Sequence, residues 1–184
     1  WSQDGFRFSA DTSYRYSNGN GSLKWRYNFH EKHTMELAAG YDMYRYATYD
    51  KYNPVNSYEM TFSIQQVYSK LKFKSLLGKD HTLTYGVDAI GYDLSPGSYL
   101  PYGEESLVVP DILPKENAIE ASAYLSHSWN ISERFFMDYG LRYSLFATKG
   151  KSYHHPEVRV SGRVMITDNI SFKAGFNSLT QYIH

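Results

Sequence analysis

Between Ile119 and Leu145 apolar and polar residues alternate in two long runs. Ile119, Ala121, Ala123, Leu125 and Trp129 take every second position, and His127 shares their side. Asn130, Ile131, Ser132, Glu133 and Arg134 interrupt the pattern; Phe135, Met137, Tyr139, Leu141, Tyr143 and Leu145 resume it. A period of two gives a pleated strand one apolar and one polar face. Strands of about ten residues with this pattern, joined by short and long connections in turn, meet the demands of a β-barrel in a bilayer.

The same reading along the whole chain predicts about nine strands. The first covers residues 5–16, with Phe6, Phe8, Ala10, Tyr14 and Tyr16 on one face. Asn18-Gly19-Asn20-Gly21 is expected to break it, since these residues accept positive φ. The second, 22–29, sets Leu23, Trp25, Tyr27 and Phe29 against Lys24, Arg26 and Asn28, and the third sets Met35, Leu37, Ala39, Tyr41 and Met43 against Glu36 and Asp42. A connection over 46–57 follows. The fourth strand carries Met60, Phe62 and Ile64, then Val67, Leu71 and Phe73, so a bulge is expected at Gln65-Gln66. Residues 77–80 turn the chain into a fifth strand with Leu83, Tyr85, Val87 and Ala89, and a long connection over 94–117 leads to the two strands described first. Another connection, 147–156, precedes an eighth strand (Val158, Val160, Val164, Ile166) and a ninth (Ile170, Phe172, Ala174, Phe176).

Short turns follow the even strands, and longer or Gly-rich connections follow the odd ones. In outer-membrane barrels the short turns are periplasmic and the long loops outward. An odd number of strands has its ends on opposite sides and does not close an antiparallel barrel. The expectation is therefore one partial barrel domain over residues 1–184, without a plug domain and with strands of the parent chain beyond both edges. The first residues, Trp1 to Gly5, have neither the basic start nor the apolar core of a leader, so a leader has been lost or the chain is an internal piece.

Composition sharpens this picture at three points. Nineteen Tyr, ten Phe and three Trp make up 17% of the 184 residues, and an apolar ring with a polar tip suits a hydrocarbon–water boundary. Lys plus Arg and Asp plus Glu are both 19, so no basic surface calls for nucleic acid. There is no cysteine, hence no disulfide framework and no thiolate metal site. The charges gather on the polar faces, with Arg15, Lys24, Arg26, Arg142, Arg159, Arg163 and Lys173 beside Glu36, Asp42, Glu59, Asp88, Glu120, Asp138 and Glu157, and Arg7 and Asp11 near the start. That face is expected to line a watery lumen or meet a plug, with its ion pairs structural.

Several segments resemble the barrel of TonB-dependent outer-membrane receptors, most of all those of Bacteroidetes. They are Glu116–Leu125, the turn 129–134, Gly140-Leu141-Arg142-Tyr143, His155–Ser161, Lys173–Asn177 and Gln181-Tyr182-Ile183-His184. The resemblance implies a bacterial outer-membrane location and uptake of a scarce nutrient of the siderophore, haem, cobalamin or glycan class. It also implies three further partners besides the lipid: the plug domain, the remaining strands, and the TonB complex acting through the plug. In mid-strand Gly140 leaves room for a plug or a bulky neighbour, and Arg142 can anchor that contact.

Candidate ligand-binding residues come from the outward connections. Tyr92, at the end of the fifth strand, and Tyr99, Tyr102, Glu104 and Glu105 after it suit aromatic stacking and capture of a polar ligand. Tyr153, His154 and His155 form a second group, whose two imidazoles are candidate ligands for metal or haem. Tyr44, Tyr46, Tyr49 and Tyr52 read as a membrane girdle. No cofactor is expected. Nor is an enzyme: no Gly-rich phosphate loop, His-Glu-x-x-His or nucleophile elbow is present. Two other architectures fit the same alternation, a soluble Tyr-rich β-sandwich that binds glycans and a small closed porin-like barrel.

Overall fold

The structure, a computed structural model, describes the backbone of residues 2–7 and all of residues 12–182. The faces expected for Phe6, Arg7, Phe8, Ala10 and Asp11 lie outside the described side chains, as do Ile183 and His184. In chain order the elements are β1 (Ser2–Arg7), β2 (Thr12–His30), β3 (His33–Asp50), β4 (Tyr58–Leu76), β5 (His81–Pro101), β6 (Asp111–Ile112), β7 (Glu116–Ser132), β8 (Phe135–Thr148), β9 (Lys151–Thr167) and β10 (Ile170–Asn177). One sheet holds them in the order β1-β2-β3-β4-β5-β7-β8-β9-β10, with β6 paired on β5. No α-helix occurs among the described residues, and the nine long strands form an all-β antiparallel architecture.

Five sequence expectations change. Arg15 and Glu59, expected on the ionic face, lie on the other side with Tyr49: the Arg15 guanidinium is 5.4 Å from that ring, and Glu59 alternates with Tyr58. Asn18-Gly19-Asn20-Gly21 is not a turn: β2 runs straight through it, and none of its residues has positive φ. Asn and Gly permit a reversal without requiring one; here Asn18 pairs with Ser2 of β1 and the stretch stays extended within β2. The third and fifth strands continue outward past their expected ends, to Asp50 and Pro101. Gln65-Gln66 carries no phase change either. Phe62 packs on Tyr46 and Gln66 donates to Asp42, so both point to one side of β4. Met60, Phe62 and Ile64 thus share the ionic side by alternation, where Phe62 and Tyr46 supply apolar surface of their own.

Finally, the expected outward loop over 147–156 is a tight hairpin. Thr148 pairs with Lys151, and Lys149 (φ 44) and Gly150 (φ 76) both take the left-handed conformation that a two-residue hairpin turn demands. The other connections follow expectation. Residues 31–32, 77–80, 133–134 and 168–169 are short, and the longer ones lie at 51–57 and 102–115. The first of these includes a 3-10 turn, Pro54–Asn56, where Asn53 Oδ1 accepts from the Val55 amide at 3.1 Å.

The contacts divide the chain into two units. One comprises Trp1–Ser22, Gly40–Val67 and Gly91–Ala118; the other comprises Leu23–Ala39, Tyr68–Ile90 and Ile119–His184. Among the described residues neither contains an apolar core. Among the described residues the buried apolar side chains are Ala47 and Ala118 in the first unit and Phe146 in the second. In the second unit Leu23 is 75% exposed, Leu141 63% and Phe172 63%, because the apolar row of each strand stands clear of the sheet. The soluble sandwich needs a second layer over those rows, and the described strands form one sheet.

Candidate functional site

The ionic face of the second unit carries the densest chemistry. It forms a concavity of about 580 Å³ lined by Glu36, Lys70, Lys72, Asp88, Glu120, Tyr124, Arg142, Glu157 and Arg159, among others. Arg142 lies at its centre because β8 presents Asp138, Gly140, Arg142 and Ser144 at alternate positions. Its Nη1 donates to Asp88 Oδ2 at 3.2 Å, and its Nε lies 3.9 Å from Glu157 Oε2. Ser144 Oγ donates to Glu157 Oε1 at 3.2 Å, and Ser144 and Glu157 are both buried. The Arg142 guanidinium stands 5.9 Å from the Tyr124 ring centroid. Further across the same face Lys24 and Arg26 each reach a Glu36 oxygen at 2.9 Å.

Two glycines make this surface possible. A Cβ at Gly140 would lie 2.8 Å from Ser126 Cβ and 2.9 Å from the Leu125 carbonyl, so the space expected beside it is already filled by the neighbouring strand. At Gly86 it would strike the Leu71 carbonyl and approach the Tyr124 hydroxyl to 2.7 Å; Tyr124 therefore lies across the glycine, under Arg142. The result is a fixed array of charge. Arg142 is held in place by two carboxylates and retains further donors of its fork for an incoming group.

The candidate residues in the long connections do not converge. Tyr92 is half-buried within β5, and Tyr99 is also a strand residue, paired with Asp111 and packed on Tyr58 at 4.9 Å between centroids. Tyr102 leaves the strand, gives its amide to the Ser57 carbonyl at 3.1 Å, and meets Tyr49 edge-on at 5.8 Å. By alternation Tyr58 lies on the Tyr46–Phe62 side and Tyr49 on the other, which separates Tyr99 from Tyr102. Glu104 and Glu105 follow Gly103 (φ 86) and are exposed. The expected girdle is likewise divided. Tyr46 stacks with Tyr14 at 6.3 Å on the ionic side, whereas Tyr49 turns away from it.

Tyr153, His154 and His155 lie in β9, opposite Phe146, Leu145 and Ser144. Adjacent strand residues point to opposite faces, so the two imidazoles do not share a site. His154 Nδ1 is instead 3.0 Å from the Tyr143 hydroxyl on the apolar side. Tyr153 is paired with Phe146, which stacks on Tyr182 at 5.1 Å. Among the described residues no group of three or more His, Asp or Glu is placed to hold a metal.

One grouping was missed in the sequence. His81 Nδ1 lies 3.1 Å from His127 Nε2, and His127 Nδ1 lies 2.7 Å from the Tyr139 hydroxyl. Trp129 stacks on His81 at 5.3 Å. Both ring nitrogens of His127 thus have partners, which lets an imidazole occupy an apolar row. The alternation that puts His127, Tyr139 and His81 on apolar rows is visible in the sequence; the strand register that brings them together is not.

Comparison with known proteins returns a fold. No family model matches the chain, and no curated protein matches it. Among solved structures it is similar to a copper transporter, OprC, with a TM-score of 0.70 at 14% sequence identity over 94% of this chain. The match covers 35% of the transporter, so the chain spans about a third of that structure's length. The shared fold is the antiparallel sheet of an outer-membrane barrel.

Proposed function

We propose that this chain forms part of the barrel wall of an outer-membrane receptor of the TonB-dependent class, one that imports a scarce nutrient. The observation that carries this reading is the inversion of the sheet: exposed rows of Leu, Phe and aromatic side chains on one face, ion pairs on the other, and, among the described residues, almost nothing apolar buried. Leu23, Leu141 and Phe172 in water would forfeit most of the about 25 cal/mol per Å² that burial of apolar surface supplies, whereas hydrocarbon removes that cost. On this reading the ionic face lines the lumen. Its concavity around Arg142 receives the plug domain of the parent protein, through which the TonB complex acts. Within the first unit, Tyr92, Tyr99, Glu104 and Glu105 contribute to nutrient capture. The Bacteroidetes-like segments favour a siderophore, haem, cobalamin or glycan as cargo; copper, after which the similar transporter is named, joins that set.

Fractionation and growth test this together. Cells carrying the full-length protein are expected to hold it in the outer membrane and to gain growth on one limiting nutrient of this set. Recovery of a monomeric protein from plain buffer, with no need of detergent, overturns the reading.

A further inference from the structure

On β4 lysine recurs at every second position, Lys70, Lys72 and Lys74, so three ammonium groups share the ionic face at steps of about 7 Å. Like charges set so close on one face of a sheet repel one another. Lys72 and Lys74 nonetheless form no ion pair among the described residues. They line a second concavity of the same unit, about 380 Å³ in volume, with Arg26 and Asn28 of β2 and Thr34 and Glu36 of β3. The tight turn at 31–32 sets β2 beside β3. The Leu76 amide donates to the Lys32 carbonyl at 2.8 Å and ties the end of β4 to that turn.

We propose that this hollow binds a small, doubly charged oxyanion of the phosphate class. The proposal goes beyond the receptor reading and needs only the ionic face, whatever medium meets the other. Charge supports it first. Arg26, Lys72 and Lys74 face Glu36 alone, and both Glu36 oxygens are already taken, by Lys24 and Arg26 at 2.9 Å each. The adjoining Arg142 concavity is balanced instead, with Lys70, Lys72, Arg142 and Arg159 against Glu36, Asp88, Glu120 and Glu157. Among the described residues lining the two, six cations stand against four carboxylates, and the excess lies where Arg26 and Lys74 join the lining. Asp138, also on this face, accepts from Ser128 at 2.6 Å, and Glu31 and Asp80 in the nearby turns have Lys32 and Lys79 next to them in the chain.

The hydrogen-bonding groups point the same way. Thr34 Oγ1 donates to Asn28 Oδ1 at 3.0 Å, which occupies that acceptor and leaves the Asn28 N–H donors for an incoming group. With the two ammonium groups and the unused N–H groups of Arg26, four side chains of the lining offer donors and scarcely any acceptor is free. A sugar hydroxyl needs both kinds of partner, whereas a phosphate oxygen needs donors only. A carboxylate would neutralise one charge of the excess and a phosphate dianion both.

Isothermal titration calorimetry of the full-length protein in neutral detergent tests this, with inorganic phosphate at low salt and at about pH 8, where phosphate is a dianion. One phosphate per chain is expected to bind, at least about tenfold more tightly than acetate, and to weaken as salt rises. Lys72→Gln with Lys74→Gln should weaken binding at least about tenfold, and because neither lysine is paired the exchange strands no carboxylate. Arg163→Gln with Lys173→Gln removes the same charge from the same face outside the hollow, and should change the affinity less than about threefold. Asn28→Leu alters no charge and should weaken binding severalfold, a loss that a diffuse cationic field does not produce. Absence of saturable phosphate binding, equal losses in the two charge variants, or an unaltered affinity in Asn28→Leu overturns the proposal. A protein soluble without detergent overturns the receptor reading alone, and the same titration in plain buffer then decides this one.

Discussion

Replacing Leu141 with Arg tests which solvent the apolar face meets. Leu141 lies mid-strand in β8, between Tyr139 and Tyr143 on its row and opposite Val158 of β9. It is 63% exposed, so the substitution removes little packing within the sheet, and the cost reports the medium outside it. In hydrocarbon an Arg near the midplane costs about 2–4 kcal/mol, a drop of about 30- to 800-fold in the ratio of folded to unfolded protein. In water the same exchange at an exposed position stays within about 0.5 kcal/mol. Ile131, near the end of β7 at a short turn, supplies the depth control. There Ile131→Arg should cost no more than about 1 kcal/mol, since the penalty fades toward the interface. Equilibrium urea unfolding of the full-length protein in lipid vesicles measures both variants on one scale. If Leu141→Arg proves as mild as Ile131→Arg, the face does not meet hydrocarbon and the barrel-wall reading falls.

Three further outcomes follow from individual contacts. Arg142→Met strands Asp88 and the buried Glu157, and should destabilise by about 1–3 kcal/mol in the same assay, less than a fully buried pair because Arg142 is part-exposed; adding Asp88→Asn and Glu157→Gln should recover part of the loss. Gly140→Val drives a side chain into Ser126 and the Leu125 carbonyl, with an expected loss of about 1–3 kcal/mol and slower folding into vesicles, whereas Gly21→Ala, where a Cβ meets open space, should cost less than about 1 kcal/mol. His127→Leu leaves His81 and Tyr139 without their partner, while the triple variant with His81→Leu and Tyr139→Phe should be close to neutral; a double-mutant cycle on His127 and Tyr139 should report a coupling of about 1 kcal/mol.

The amino-acid order alone determined which side chains share a face, because strand geometry ties side-chain direction to a period of two wherever the chain is extended. That is why the apolar rows of β7, β8 and β10, and the ionic row through Arg142, could be read from the sequence. It also set the tight turns at 31–32 and 77–80, where polar residues interrupt two alternating runs. Pairing decided the rest. Asn18–Gly21 reads as a reversal by local preference but is extended within β2, with Asn18 paired to β1, and Tyr153, His154 and His155 read as a loop but are paired with β8. A local sequence encodes what a segment tolerates; only the neighbouring strand selects among those states. The same holds for the clusters. Asp88 lies 54 residues from Arg142, and His81 lies 46 from His127, separations that no local spacing rule spans. Cross-strand register closes them, and register is a property of the assembled sheet.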